Sequence, residues 1–175
     1  MLITDSYRAE QERLHATGKY GTASLEYGGI VSQLVEQTSS ETLLDYGCGS
    51  MQNLRKVLDC DVLYLGYDPA VPEFSRKAPS DLVVCIDVLE HIEPELLDNV
   101  LDDLQQLTKR WAFMTVHTGA ARKTLSDGRN AHLIQQPPSW WLPKFFARWD
   151  VRSFQAMPQG FSVLVRNGTE HIHRA

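Results

Sequence analysis

"TLLDYGCGSMQNL" (residues 42–54) runs from an apolar stretch into an aspartate, then two glycines one residue apart, then the start of a helical period. A helix amino terminus presents unpaired N–H groups, and glycine lets a ligand approach that backbone closely. The pattern suits a nucleotide site in general, and it also suits a plain corner between a strand and a helix. Met51 stands where a dinucleotide fingerprint favours glycine, and no lysine–serine pair follows to make a phosphate loop.

The sequence on either side chooses between these readings. "VLYLGY" (62–67) and "DLVVCI" (81–86) are short apolar runs bounded by turn residues, and "MQNLRKVLD" before them is helical in period. Strand, helix, strand argues for a parallel sheet with crossovers, and nearly continuous apolar strands suit a sheet covered on both faces. Leu96, Leu97, Val100, Leu101, Leu104 and Leu107 then repeat at three and four residues, with Pro94 in the first turn and Glu93, Glu95 and Asp98 favouring the amino end. "WAFMTVH" (111–117) makes a fourth strand. "DVRSFQAM" (150–157) and "FSVLVRN" (161–167), joined by "PQG", read as a closing antiparallel hairpin. Helices over 5–16 and 29–38, the second around Ile30, Leu34 and Val35, precede the first strand and should lie over its carboxyl end or against a face of the sheet. "PSWWLPKFFARW" (138–149) is a short aromatic helix interrupted by Pro143, and the tail "GTEHIHRA" is expected to fray.

With 175 residues, 43% hydrophobic and 22% charged, the chain is an ordinary globular protein with material for one core. It has no internal repeat or linker, so residues 1–175 are read as one domain. Its 17 basic and 22 acidic residues give a net charge of -5, which disfavours long nucleic acid held through its phosphates. The amino-terminal stretch has no apolar core of a signal peptide, and no run is long enough to span a bilayer. Cys48, Cys60 and Cys85 are an odd number without metal-site spacing, and a reducing cytoplasm suits them.

Asp68 ends the second strand 23 residues after Asp45, where an acidic residue can accept hydrogen bonds from a ribose diol; a turn cap in "DPAV" is the alternative. Asp87 follows the buried third run, at the carboxyl edge where open α/β sheets bind ligands. Together "LLDYGCGS", "YDP" and "DLVVCIDVLEHI" resemble the class I methyltransferases that use S-adenosylmethionine, most closely their small-molecule branch. The resemblance is good over residues 41–117 and holds in outline elsewhere. It implies a three-layer Rossmann-like α/β sheet, mostly parallel with a carboxyl-terminal antiparallel hairpin. It also implies that Asp45, Gly47, Cys48 and Gly49 wrap the methionine part of S-adenosylmethionine (the product being S-adenosylhomocysteine). Asp68 would take the ribose, Pro69 would lie near adenine, and Ile86, Asp87 and Val88 would sit near the methionine and the transferred methyl group.

Only 12 residues separate Asp68 from Asp81, and "PAVPEFSRKAPS" is too short for the strand and helices the family places there. Six strands are therefore expected, with the usual third missing, the second at an edge, and adenine unusually exposed. Residues 1–40 would form a helical lid, with Tyr20 beside Gly21 as a cofactor contact, and residues 118–146 would hold the acceptor. Methyl transfer to a protonated acceptor needs a base, for which His117, at the end of the fourth strand, and His132 are the candidates. His91, Arg129 and Asn130 are candidate acceptor contacts, Arg129 for a carboxylate or phosphate, and Trp141 a candidate apolar wall. His117 and His132 have no carboxylate spaced to join them, so no metal is assigned. The reading is methyl transfer to a small polar or sugar-like acceptor. Two alternatives stand beside it. A nucleic-acid or modified-nucleotide methyltransferase is one, although "DVLE" replaces the Asn/Asp-Pro-Pro-aromatic and Pro-Cys signatures of the DNA enzymes. A noncatalytic cofactor-binding scaffold is the other. Oligomeric state is left open.

Overall fold

A computed structural model describes residues 1–18 and 21–168; Tyr20 and the tail from residue 169 on lie outside the described residues. Six strands form one sheet: β1 (Thr42–Tyr46), β2 (Leu63–Tyr67), β3 (Ser80–Ile86), β4 (Thr108–His117), β5 (Asp150–Met157) and β6 (Gly160–Arg166), in the order β2-β1-β3-β4-β6-β5. β1 to β4 are parallel, and β6 runs antiparallel to both β4 and β5. The second strand is at an edge, as the short 68–81 connection requires. That connection holds only a single 3-10 turn (Pro72–Phe74) before β3 begins, which the Asp68 N–H fastens by donating to the Phe74 carbonyl (2.9 Å).

Alternation along the strands sends side chains to two cores. Leu82, Val84 and Ile86 of β3 join Leu43 and Phe113 under α2 (Gly28–Thr38) and α3 (Asn53–Val57). Val83 and Cys85 join Met114, Val116 and Val163 under α4 (Leu97–Leu107) and α5 (Pro138–Phe146). The result is three layers, with the inner strands apolar along almost their whole length because both faces are covered.

Three local expectations change. On α2, Val31 rather than Ile30 joins Leu34 and Val35 in the core, and Ile30 is exposed; a one-residue shift rotates the buried stripe by about 100°. β4 starts at Thr108, immediately after α4, because the Thr108 hydroxyl caps that helix by donating to the Leu104 carbonyl (2.7 Å). Pro94 lies in a 3-10 turn (Pro94–Leu96) that leads into α4 rather than in its first turn. No helix among the described residues is long and apolar enough to cross a membrane.

The amino-terminal segment divides. α2 is part of the sheet's covering layer. α1 (Asp5–His15) instead crosses the carboxyl edge, packing Tyr7 and Leu14, with Ile3 just ahead of the helix, on Leu125 and Ala131. Polar ties fix it there: Thr4 donates from its backbone and hydroxyl to Glu93 (2.9 and 2.6 Å), and Tyr7 donates to the His91 carbonyl (2.7 Å).

Candidate active site

The carboxyl ends of β1, β3 and β4, roofed by α1 and by residues 21–24, enclose a cavity of about 780 Å³. That is ample for a nucleotide-sized ligand together with a second small molecule.

The glycine turn forms one wall. Gly47 (φ +84°) and Gly49 (φ +63°) both take left-handed backbone, and a Cβ on Gly47 would stand 2.4 Å from Val88 Cγ2. Gly47 and Cys48 donate their N–H groups to the Tyr67 carbonyl (2.7 and 3.1 Å) and Gly49 donates to Asp68 Oδ2 (3.1 Å), so the turn is locked to the end of β2. With Met51 in place of a third glycine, the next left-handed residue is Gln52 (φ +46°), directly ahead of the short α3. The Cys48 thiol does not reach the cavity. It is buried against Gly66, where burial pushes it above its ordinary range, and Cys48 is not among the residues lining the cavity.

Asp45 is 3% exposed and accepts the Tyr64 hydroxyl at 2.6 Å. Burial raises its carboxyl to about 7 against the pull of that hydrogen bond, and the charge of Asp68 adds to the rise. Asp68 takes the turn-cap role weighed for it with one oxygen and leaves the other at the glycine turn. Its Oδ1 caps a turn by accepting from the Ala70 N–H (2.9 Å), while Oδ2 faces the glycine turn and lies 3.6 Å from His15 Nε2 of α1. Pro69, Ile86, Asp87 and Val88 line the cavity. Asp87 adopts φ +50°, held by Thr115, which accepts from its N–H (2.9 Å) and donates to its Oδ1 (2.6 Å).

Opposite the turn, three imidazoles meet. The His132 ring centroid is 4.7 Å from that of His91 and 4.7 Å from that of His117. His91 Nδ1 donates to the Ala131 carbonyl (2.8 Å) and His132 Nδ1 to the Gly119 carbonyl (2.7 Å), which puts the lone pair of each neutral ring on Nε2. Burial holds His91 down to about 4, with His132 beside it adding to the effect, and burial lowers His132 as well. His117 is the opposite tautomer. Its Nδ1 accepts from the Gly119 N–H (3.1 Å), so Nε2 carries the hydrogen given to Gln159 Oε1 (3.1 Å). Both nitrogens of His117 are therefore engaged, and of the two candidate bases His132 is the better disposed to accept a proton.

Three of the expected acceptor contacts lie elsewhere. Arg129 is on the surface, paired with Asp127 (2.7 Å) and stacked over Tyr7, because a two-residue turn brings that carboxylate closer than any ligand site. Asn130 holds the loop together, accepting from the Ala121 and His132 N–H groups (2.9 Å each) and donating to the Ala121 carbonyl (2.9 Å). Trp141 is 0% exposed and stacked on Phe145 in the core beneath the sheet, where its indole N–H reaches the Gln136 carbonyl (3.2 Å). Arg122 and Lys123 line the cavity instead. Sequence reasoning also missed His15 and Glu90. Glu90 is 0% exposed; its Oε1 accepts from the His117 N–H (3.0 Å) and its carboxyl is pushed well above the ordinary range, by burial first and the charge of Asp87 second. A carboxylate therefore does stand beside the histidines, although no sequence spacing announces it.

Residues 21–159 match the family model of a methyltransferase domain. A sequence comparison with curated proteins gives no match. Among solved structures, the chain resembles 1,6-didemethyltoxoflavin-N1-methyltransferase of Burkholderia thailandensis, with bound 1,6-didemethyltoxoflavin and S-adenosylhomocysteine (TM-score 0.66, 14% identity, 92% of this chain and 87% of that one). It also resembles magnesium protoporphyrin IX methyltransferase of Synechocystis PCC 6803 with bound S-adenosylmethionine (0.57, 13%, 82% and 79%). A small RNA methyltransferase matches at 0.62 and 14% identity over 82% of this chain and 25% of that one. At such identities these likenesses concern the fold.

Proposed function

Because the chain belongs to the methyltransferase-domain family, we propose that it transfers a methyl group from S-adenosylmethionine to a small polar acceptor. The observation that carries this reading is the convergence of the left-handed Gly47–Gly49 turn and Asp68 on one wall of a cavity that also takes in Asp87 and three histidines. The residues fit the cofactor. Asp68 Oδ2, at the glycine turn, would accept from the ribose hydroxyls, and Gly47 leaves no side chain between Val88 and a ligand. The carboxyls of Asp68 and Asp87 along the cavity favour a cationic guest. Structures of the same fold with S-adenosylmethionine or S-adenosylhomocysteine bound support the choice.

When bound, S-adenosylmethionine supplies an electrophilic methyl carbon on a positively charged sulfur. The chain's own residues orient the two reactants, with α1 docked over the sheet edge to limit the access of water. A hydroxyl or amine acceptor gives its proton to His132 Nε2, while His117, fixed between Gly119 and Gln159, shapes the wall. Arg122 and Lys123 at the cavity fit an acceptor with an anionic group. The net charge of -5 speaks against long nucleic acid, and three free thiols suit a cytoplasmic location.

The test is to incubate the protein with methyl-labelled S-adenosylmethionine and, separately, a small-metabolite extract and total RNA. Label in the small-molecule fraction supports the reading. Label in RNA transfers the activity to a nucleic-acid substrate, and cofactor binding without any label favours a scaffold.

A further inference from the structure

We propose that Glu90, His91 and His132 form a binding site for a divalent first-row transition-metal ion on the cavity wall. One ligand atom from each lies within 4.8 Å of the others. Bonds of about 2.0–2.2 Å to a common ion place ligand atoms roughly 3–4.4 Å apart, so a small inward movement of the side chains closes the site.

Glu90 supplies the independent observation. It is fully buried, its Oε1 accepts the His117 N–H, and its Oε2 has no hydrogen-bond partner among the described residues. A buried carboxylate oxygen without a partner is costly, and such an atom calls for an explanation; an ion between it and two imidazoles supplies one.

The two histidines are prepared in the way metal ligands are. Each donates Nδ1–H to a backbone carbonyl, Ala131 for His91 and Gly119 for His132, which fixes the ring and its tautomer and leaves the lone pair on Nε2. The supports of the triad are themselves connected. Ile134 donates its N–H to the Glu90 carbonyl (3.0 Å), and the Asn130 side chain holds the His132 backbone. The loop carrying His132 is thereby clamped to the 3-10 turn (Leu89–His91) carrying the other two ligands. Two imidazoles and one carboxylate suit Mn²⁺, Fe²⁺, Co²⁺ or Zn²⁺ better than Mg²⁺, which prefers oxygen ligands.

Three protein ligands leave coordination positions toward the cavity, beside Asp87. If the methyl-transfer reading holds, those positions take the acceptor's oxygen and lower the pKa of its hydroxyl, whose proton passes to the Asp87 carboxylate at the cavity. The ion then activates the acceptor in place of the His132 base. The metal site itself does not depend on that reading.

The experiment is metal binding by the full chain after chelator treatment, with no cofactor present. Co²⁺ is titrated while its visible d–d bands are followed, and Mn²⁺ is followed by electron paramagnetic resonance. One equivalent should bind, the melting temperature should rise with metal concentration, and Glu90→Gln and His132→Gln should each weaken binding by at least about tenfold. A variant with His171→Gln and His173→Gln should bind as wild type does, separating this site from the tail. Circular dichroism establishes that each variant is folded. No binding by the folded wild type, or unchanged affinity in both Glu90→Gln and His132→Gln, overturns the proposal.

Discussion

Replacing Asp45 by asparagine removes a buried acid while keeping its shape and an oxygen for the Tyr64 hydroxyl, 2.6 Å away. In the folded protein the carboxyl titrates at about 7, chiefly because it is buried, whereas in the unfolded chain it titrates at about 4. Between these values the native state keeps a proton that the unfolded state has released. Fewer protons are then bound on unfolding, and stability falls as pH rises from about 4 to about 7. A difference of roughly 3 units at ~1.4 kcal/mol each makes the full cost about 4 kcal/mol, an upper bound, complete above pH 7. The asparagine of Asp45→Asn cannot ionise, so this part of the pH dependence disappears. Urea unfolding followed by the fluorescence of the four tryptophans, repeated from about pH 4.5 to about 8.5, measures the gap between the two proteins. It should be near zero at the acid end and grow to several kcal/mol in favour of the variant at the alkaline end. Parallel stability curves, or a wild type that gains on the variant as pH rises, would refute the reasoning. The extra stability should be accompanied by weaker cofactor binding, since Asp45 faces the cavity.

Other substitutions probe separate parts of the account. Gly47→Ala combines left-handed backbone with a contact 2.4 Å from Val88 Cγ2; it should cost roughly 1–3 kcal/mol in urea unfolding and abolish S-adenosylhomocysteine binding by calorimetry. Trp141→Ala empties a fully buried core position and should cost about 3–5 kcal/mol, yet the folded variant at low temperature should bind the cofactor as wild type does, because Trp141 does not line the cavity. In methyl-transfer assays His132→Gln should lower turnover by about 10²–10⁴-fold. His117→Gln should cost much less, because neither nitrogen of His117 is available to the acceptor.

The layers, the sheet order at its β2 edge and the glycine turn were legible because they depend on local signals. Apolar runs bounded by turn residues mark the strands, and a 12-residue connection after Asp68 leaves no room for another strand. The acceptor side was less legible, because long-range packing decides it. Nothing local in "PSWWLPKFF" says which indole faces inward; the stacking of Trp141 on Phe145 settles that. Arg129 carries an attractive charge in the sequence, but Asp127 two residues earlier claims it. Glu90, His91 and His132 meet only when the 118–136 loop folds back on the turn after β3, and no spacing rule covers a pairing so distant in the chain. The adjacency of Glu90 and His91 behind "DVL" was the one available hint. His15 reaches Asp68 because Thr4 and Tyr7 dock α1 across the sheet edge, and neither contact has a local signature.

The central claim is that the Gly47–Gly49 turn and Asp68 hold S-adenosylmethionine. Calorimetric titration of the wild type and of Asp68→Ala with S-adenosylhomocysteine tests it most directly. The account predicts one site of micromolar affinity in the wild type and its loss in a variant that remains folded. No heat of binding in the folded wild type, or equal affinity in the two proteins, would contradict it.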